Sequence, residues 1–126
     1  MEFFIFGHPN ISADHKTTLE FTKDKELTKK GNCIVGVNSD FSFSEIKKLL
    51  KAKKIEIDIE GNKITADINP DFKDKKEIVI RRSDFKSPRT LGINADKAAV
   101  DLDKKLVEKL KNPETRIKVK IIKSNH

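Results

Sequence analysis

Residues 54–68, KIEIDIEGNKITADI, constrain this chain more tightly than any other stretch. Ile55, Ile57 and Ile59 stand at every second position among charged residues, Gly61-Asn62 interrupts, and Ile64, Ala66 and Ile68 resume the alternation. A period of two places apolar side chains on one face of an extended strand and charged ones on the other. Two such strands separated by Gly-Asn form an antiparallel hairpin, and Gly at the first loop position predicts a type II′ turn. The apolar face of that hairpin must be covered, so the rest of the chain has to supply more sheet, or helices, to lie on it.

The other segments supply both. Residues 1–6, MEFFIF, are apolar on both faces and read as a central strand that the His8-Pro9 pair must end. From His15 to Thr22 the chain alternates, with Thr17, Leu19 and Phe21 on one side and Lys16, Thr18, Glu20 and Thr22 on the other. This predicts a half-buried strand, hairpin-paired with the first, so that His8 and His15 lie near one end of the hairpin. Residues 33–37 form a short buried strand whose Gly36 signals a bulge or a close backbone approach. Ser42 and Glu45 have capping-box spacing at the start of a helix with Phe43, Ile46, Leu49 and Leu50 as its stripe. A strand is expected at 77–82 and a long irregular loop at 83–95. A second helix follows, starting between Asp96 and Asp101, with Ala99, Leu102, Leu106, Val107 and Leu110 inward and Asn112-Pro113 as its stop. An alternating strand at 116–123 completes the pattern. The expectation is one α+β domain over residues 1–126: a mainly antiparallel, curled sheet or partial barrel of about seven strands, with two helices.

Composition narrows the function classes. No run approaches the ~18 apolar residues of a membrane span, and the N-terminal apolar run is too short and lacks the flanks of a signal peptide, which predicts a cytoplasmic protein with no membrane partner. A single cysteine excludes an internal disulfide and a multi-thiolate zinc site within one chain; Cys33, in CIVGV, is expected to be a small buried hydrophobe. The net charge of +7 favours polyanionic partners, although Lys-rich surfaces also arise from ion-pair networks in heat-adapted proteins. With eight Phe and neither Trp nor Tyr, any stacking platform for a base must be Phe or His.

Versatile side chains concentrate in residues 7–40, GHPNISADHKTTLEFTKDKELTKKGNCIVGVNSD. His8 and His15 with Asp14 or Asp40 would suit Zn²⁺ or Fe²⁺, which defines a metal-dependent hydrolase as one alternative. Their spacing matches no metal signature, and a His beside Pro in a turn commonly just bonds local backbone. His126, at the chain end, is expected to be poorly ordered. Phosphate binding needs amides at a turn or helix start with basic and hydroxyl groups beside them. Two cradles offer these: residues 38–44 before the first helix, and residues 89–97 before the second, where Arg89, Thr90, Asn94 and Lys97 would clamp an anion. The competing reading is that Asn94 or Asp96 caps the helix and Lys97 is solvated. No Walker or GxGxxG loop is present. The expected site therefore unites His8, His15 and Thr17, Asn38 and Asp40, and Arg89, Thr90, Asn94 and Lys97 in one polar pocket. Its ligand would be a small anionic, phosphate-bearing metabolite or nucleotide, whether turned over or only bound. The alternative partner is nucleic acid, tracked by Lys47, Lys48, Lys51, Lys53 and Lys54 with Lys23, Lys25, Lys29 and Lys30. No cofactor is indicated by the residues.

The strings GHPN, HKTTLEFT and GNCIVGVN, followed by RTLGINADKAAVDLDKKLV, resemble in this order a small archaeal family, domain of unknown function 371. The resemblance covers most of the chain. It implies an archaeal, cytosolic setting, which fits the Lys- and Ile-rich composition, and it carries no activity or catalytic residue with it.

Overall fold

A computed structural model describes residues 1–124; His126 lies outside the described residues. The elements in chain order are β1 (Glu2–Phe6), β2 (Thr18–Thr22), β3 (Ile34–Gly36), α1 (Phe43–Leu49), β4 (Lys54–Ile59), β5 (Asn62–Ile68), β6 (Glu77–Arg81), β7 (Thr90–Ile93), α2 (Lys104–Leu110) and β8 (Arg116–Ser124). The α+β class stands. The sheet has eight strands among the described residues, in the order β1-β8-β4-β5-β7-β6-β2-β3, and it is mixed where a mainly antiparallel sheet of about seven strands was expected. The pairs β2–β3 and β6–β7 run parallel.

The eighth strand, β7, lies inside the segment expected to be loop. Its four residues, TLGI, are all buried, so it has no polar face to reveal a period of two. The hairpin at β4–β5 forms as expected, but its two loop residues are Glu60-Gly61, one position earlier than the sequence predicts. Both have positive φ, 52° and 92°, the signature of a type I′ turn with Gly at the second position. Asp58 Oδ1 accepts the Gly61 amide at 2.7 Å and closes the turn from the side.

Strand β1 does not pair with β2. It pairs antiparallel with β8, while β2 lies between β6 and β3. A strand that is apolar on both faces carries no record of its neighbour, and here the neighbour comes from the far end of the chain. The sheet edges β1 and β3 meet at one antiparallel bridge, Phe6 with Val37, through bonds of 2.9 and 3.0 Å. Asp40 adds to this seam: its Oδ1 accepts the Phe4 amide at 2.7 Å and its own amide donates to the Phe4 carbonyl at 3.2 Å. One bridge is not a ladder, so the sheet curls without closing. Gly36 sits at this seam, where a Cβ would lie 2.5 Å from the Cβ of Ile5. The close approach read from Gly36 is real, and the β2–β3 register also shifts there.

One apolar cluster fills the inside of the sheet. Phe3 packs edge-on against Phe21 and Phe41 at centroid distances of 5.4 and 5.5 Å, and Ile46 and Leu49 of α1 and Leu106 and Leu110 of α2 join the same cluster. The helices are two turns each. Ser42 is the N-cap of α1 but makes no capping bond: its hydroxyl faces that of Ser44 at 2.7 Å, and Glu45 pairs with Lys48, so the expected capping box is not formed. The second helical segment breaks in two. Residues Ala99–Asp101 make a 3-10 turn, Leu102 is extended, and Asp103 caps α2 by accepting the Lys105 amide at 3.1 Å.

Candidate functional site

Strand β2 is the local origin of the site. Leu19 and Phe21 face the core, as the alternation requires, but Thr18, Glu20 and Thr22 on the other face are buried too. The strand is therefore covered on both sides, not half-buried, and it begins at Thr18 rather than His15. Glu20 brings a carboxyl group to a position 5% exposed. The register sets Thr18 opposite Arg81 and Thr22 opposite Glu77 on β6, and Val79 opposite Thr90 on β7. Alternation thus carries Glu77 and Arg81 to the face that holds Glu20.

Arg89, just before β7, reaches over this face. Its Nη1 lies 2.7 Å from Glu77 Oε2 and 3.4 Å from Glu20 Oε1. Arg81 Nε donates to the Thr90 hydroxyl at 3.0 Å, and that hydroxyl also meets the Ser87 amide and hydroxyl at 3.2 and 2.9 Å. From β3's approach, Cys33 Sγ stands 3.9 Å from Glu20 Oε1. The cysteine is half-buried against a carboxyl group, not the core hydrophobe expected.

The electrostatics follow from this packing. Burial, reinforced by the neighbouring Glu77 carboxylate, raises the Glu20 carboxyl to about 7, against the pull of Arg89 and Arg81. Burial and Glu20 together push the Cys33 thiol up to about 11, which makes it a poor nucleophile at neutral pH. Arg81 is held below its ordinary value by desolvation and then by the charge of Arg89, so two guanidinium groups repel across one small area. Arg89 is held above its ordinary value, first by its bond to Glu77.

A family model described as a domain of unknown function, DUF371, matches residues 3–124. The chain belongs to this family. It is also similar to an archaeal protein of Methanocaldococcus jannaschii named "Uncharacterized protein MJ0206", with 46% identity over 125 residues, covering 88% of this chain and 92% of the relative. The DUF371 match runs from Phe3, within β1, to the end of β8.

The nine residues singled out in this DUF371 sequence fall into three neighbourhoods. His15, Thr17, Arg89 and Thr90 belong to the β2–β6–β7 side: the Thr17 carbonyl accepts the Arg82 amide at 2.8 Å, and His15 Nδ1 accepts the amides of Thr17 and Thr18 at 3.2 and 3.0 Å. His8 and Asn38 line a groove beside the seam, where Asp40 holds Phe4. Here His8 Nδ1 accepts the Asn10 amide at 3.0 Å, and its Nε2 lies 4.0 Å from Glu26. Both histidines thus spend one nitrogen on local backbone, and β1–β2 pairing, which would have drawn them together, is absent. Among the described residues no cluster of three or more His, Cys, Asp or Glu side chains is arranged to hold a metal ion.

Asn94 and Lys97 form the third group, between β7 and the 3-10 turn at Ala99–Asp101 and well before α2. Asn94 donates to Asp67 Oδ2 at 3.1 Å, and Lys97 Nζ donates to the Lys63 carbonyl at 2.9 Å. Asp96 is no helix cap; it accepts the Thr65 amide at 3.0 Å. The clamp expected of Arg89, Thr90, Asn94 and Lys97 is divided because β7 runs between its halves, and α2 begins only at Lys104. Glu20, Glu77 and Arg81 are the site residues that sequence reasoning misses. The signal for them is compositional: the outward positions of β8 carry Arg116, Lys118 and Lys120, whereas those of β2 carry Thr18, Glu20 and Thr22. Beyond Lys16 that face has no lysine, which in so lysine-rich a chain marks a covered surface.

Proposed function

We propose that the face formed by β3, β2, β6 and β7 binds a small anionic, phosphate-bearing molecule, with Arg89 and Arg81 supplying positive charge. What carries the reading is a buried carboxyl group, Glu20, set beside two arginines and near half-protonation at neutral pH. With Glu20 ionised, Glu20 and Glu77 balance the two arginines; with Glu20 protonated, the face carries one net positive charge. The energy separating these states is small at pH 7. An incoming anion favours the protonated form, so binding takes up a proton and frees Arg89 from one of its two carboxylates. Both ion pairs of Arg89 use Nη1 alone, whereas a guanidinium carries five N–H donors in a planar fork suited to phosphate. The Thr90 and Ser87 hydroxyls beside Arg81 would complete the contacts. The same proton, held on a buried carboxyl near pH 7, is available to a bound substrate as a general acid.

The alternatives have less behind them. Of the nine lysines read as a polyanion track, Lys48 and Lys54 each lie within 3.5 Å of a carboxylate, so part of that charge is already paired. A metal-dependent hydrolase lacks a ligand set among the described residues.

Sulfate tests the reading, because it mimics phosphate and does not itself titrate near neutrality. By calorimetry its affinity should fall about tenfold as pH rises from 6 to 8, the change expected when a group titrating near 7 is linked to binding. Glu20→Gln should remove that dependence, and Arg89→Ala should remove binding. Sulfate affinity indifferent to both substitutions would sink the proposal.

A further inference from the structure

The geometry points to Phe85 as a platform for a nucleobase, which makes the ligand of the arginine face a nucleotide. This inference rests on the anion reading above and goes beyond it by naming the second half of the ligand. Phe85 is 59% exposed, one of three large hydrophobic side chains left in solvent among the described residues, and the sole aromatic of the three. A single exposed hydrophobe is ordinary on a protein surface, so the argument rests on how this ring is held and on what lies beside it.

The ring is held, not loose. The guanidinium of Arg81 lies over one face, 4.9 Å from the centroid. The segment carrying it is tied down at both ends. The Asn94 amide donates to the Ser83 carbonyl at 3.0 Å, and Asn69 Nδ2, buried, donates to the carbonyls of Thr90 and Ser87 at 2.9 and 3.4 Å. The Lys73 amide donates to the Pro88 carbonyl at 2.9 Å. Arg81 therefore belongs to both features: one side of its guanidinium system stacks on Phe85, and its Nε holds Thr90 within the arginine face. A base stacked on the open face of Phe85 would extend an existing Arg–Phe stack, with its phosphate in reach of the same cationic patch. Base-on-aromatic stacking contributes about 1–3 kcal/mol and is tolerant of base identity. A lone ring suits one nucleotide, where strand binding would use a series of them.

The chain contains neither Trp nor Tyr, so Phe85→Trp installs a single fluorescent reporter at the platform itself. Titrations with pyrophosphate and with ADP isolate the nucleoside half, since both carry a diphosphate, and Phe85→Ala then assigns any preference to the ring. The expected result is ADP binding at least tenfold tighter than pyrophosphate, quenching of the introduced indole by ADP and not by pyrophosphate, and loss of the tenfold preference in Phe85→Ala. Equal affinities, or a preference that survives Phe85→Ala, would overturn the platform while leaving the anion site standing. Phe85-dependent binding of ADP that is unaffected by Arg89→Ala would do the reverse, keeping the platform and removing the anion site. Capture of a pentameric oligoadenylate manyfold more tightly than ADP would overturn the free nucleotide as occupant. Phe85 is exposed, so Phe85→Ala leaves the core untouched and the comparison is made on folded protein.

Discussion

A carboxyl group on a strand covered on both faces must be compensated in full or surrender its charge, and Glu20 does part of each. Its folded value of about 7 stands above the ordinary 4.5, so the folded chain holds a proton that the unfolded chain has released. The stability this confers is complete below about pH 4.5 and is lost as pH rises through about 7. Glu20→Gln should therefore raise stability at pH 8, on the order of 1–3 kcal/mol, and change it little at pH 4. Urea denaturation at the two pH values checks this; an equal effect at both would contradict the assignment of the shift to Glu20. Ser39 presents the opposite case, a buried hydroxyl with no hydrogen-bond partner among the described residues. Ser39→Ala should stabilise by about 1 kcal/mol, since it removes an unsatisfied polar atom, and a loss on thermal melting would show that the hydroxyl has a use. Neither residue announces itself in sequence. Glu20 occupies a position that alternation marks as outward, and only the later packing of Cys33 and Arg89 around it makes it buried. His8 was legible in kind, since it bonds the backbone beside it as a histidine next to proline in a turn ordinarily does, whereas His15 does the same where the start of a strand was read.

At the scale of elements, what could be read was what repeats locally. The β4–β5 hairpin declares itself through its isoleucines, and only the turn register, fixed by Asp58 closing on Gly61, had to come from structure. Gly36 was legible because a small residue in an apolar strand has few reasons to be there. Gly36→Ala should cost roughly 1–3 kcal/mol by forcing β3 away from Ile5, measurable as a lower denaturation midpoint. A neutral result would mean that the seam has more room than its contacts indicate. Gly61→Ala, at φ 92°, should cost about 1 kcal/mol through backbone strain alone, because nothing lies within 4 Å of the added methyl. Two features were not legible. Strand β7 is too short and too completely buried to show a period, and the pairing of β1 depends on β8, a partner whose identity no property of MEFFIF encodes. The break before α2 escaped for a related reason: the apolar positions from Ala99 to Leu110 keep helical spacing across the extended Leu102.

For the molecule as a whole, the seam between β1 and β3 decides how independent the two ends of the sheet are. Two backbone bonds at Phe6–Val37 and the Asp40 carboxylate on the Phe4 amide are what join them. Asp40→Ala should speed hydrogen exchange at Phe4, Phe6 and Val37 while leaving the β4–β5 amides protected, and uniform exchange across the sheet would show that the seam has no separate stability. The anion site lies on strands next to one side of this seam, so it inherits whatever order the seam imposes. The position of β8 between β1 and β4 has a temporal consequence as well. During synthesis β1 leaves the ribosome about 110 residues before its neighbour exists, a wait of roughly 5–20 s at ordinary elongation rates. For that interval the edge of β1 that β8 will cover stays unpaired, and its other edge meets β3 through a single bridge, so the strand is open to any other strand it meets. The open edge of β1 is thus closed only when β8 arrives, which makes the order of synthesis run against the order of pairing at this edge.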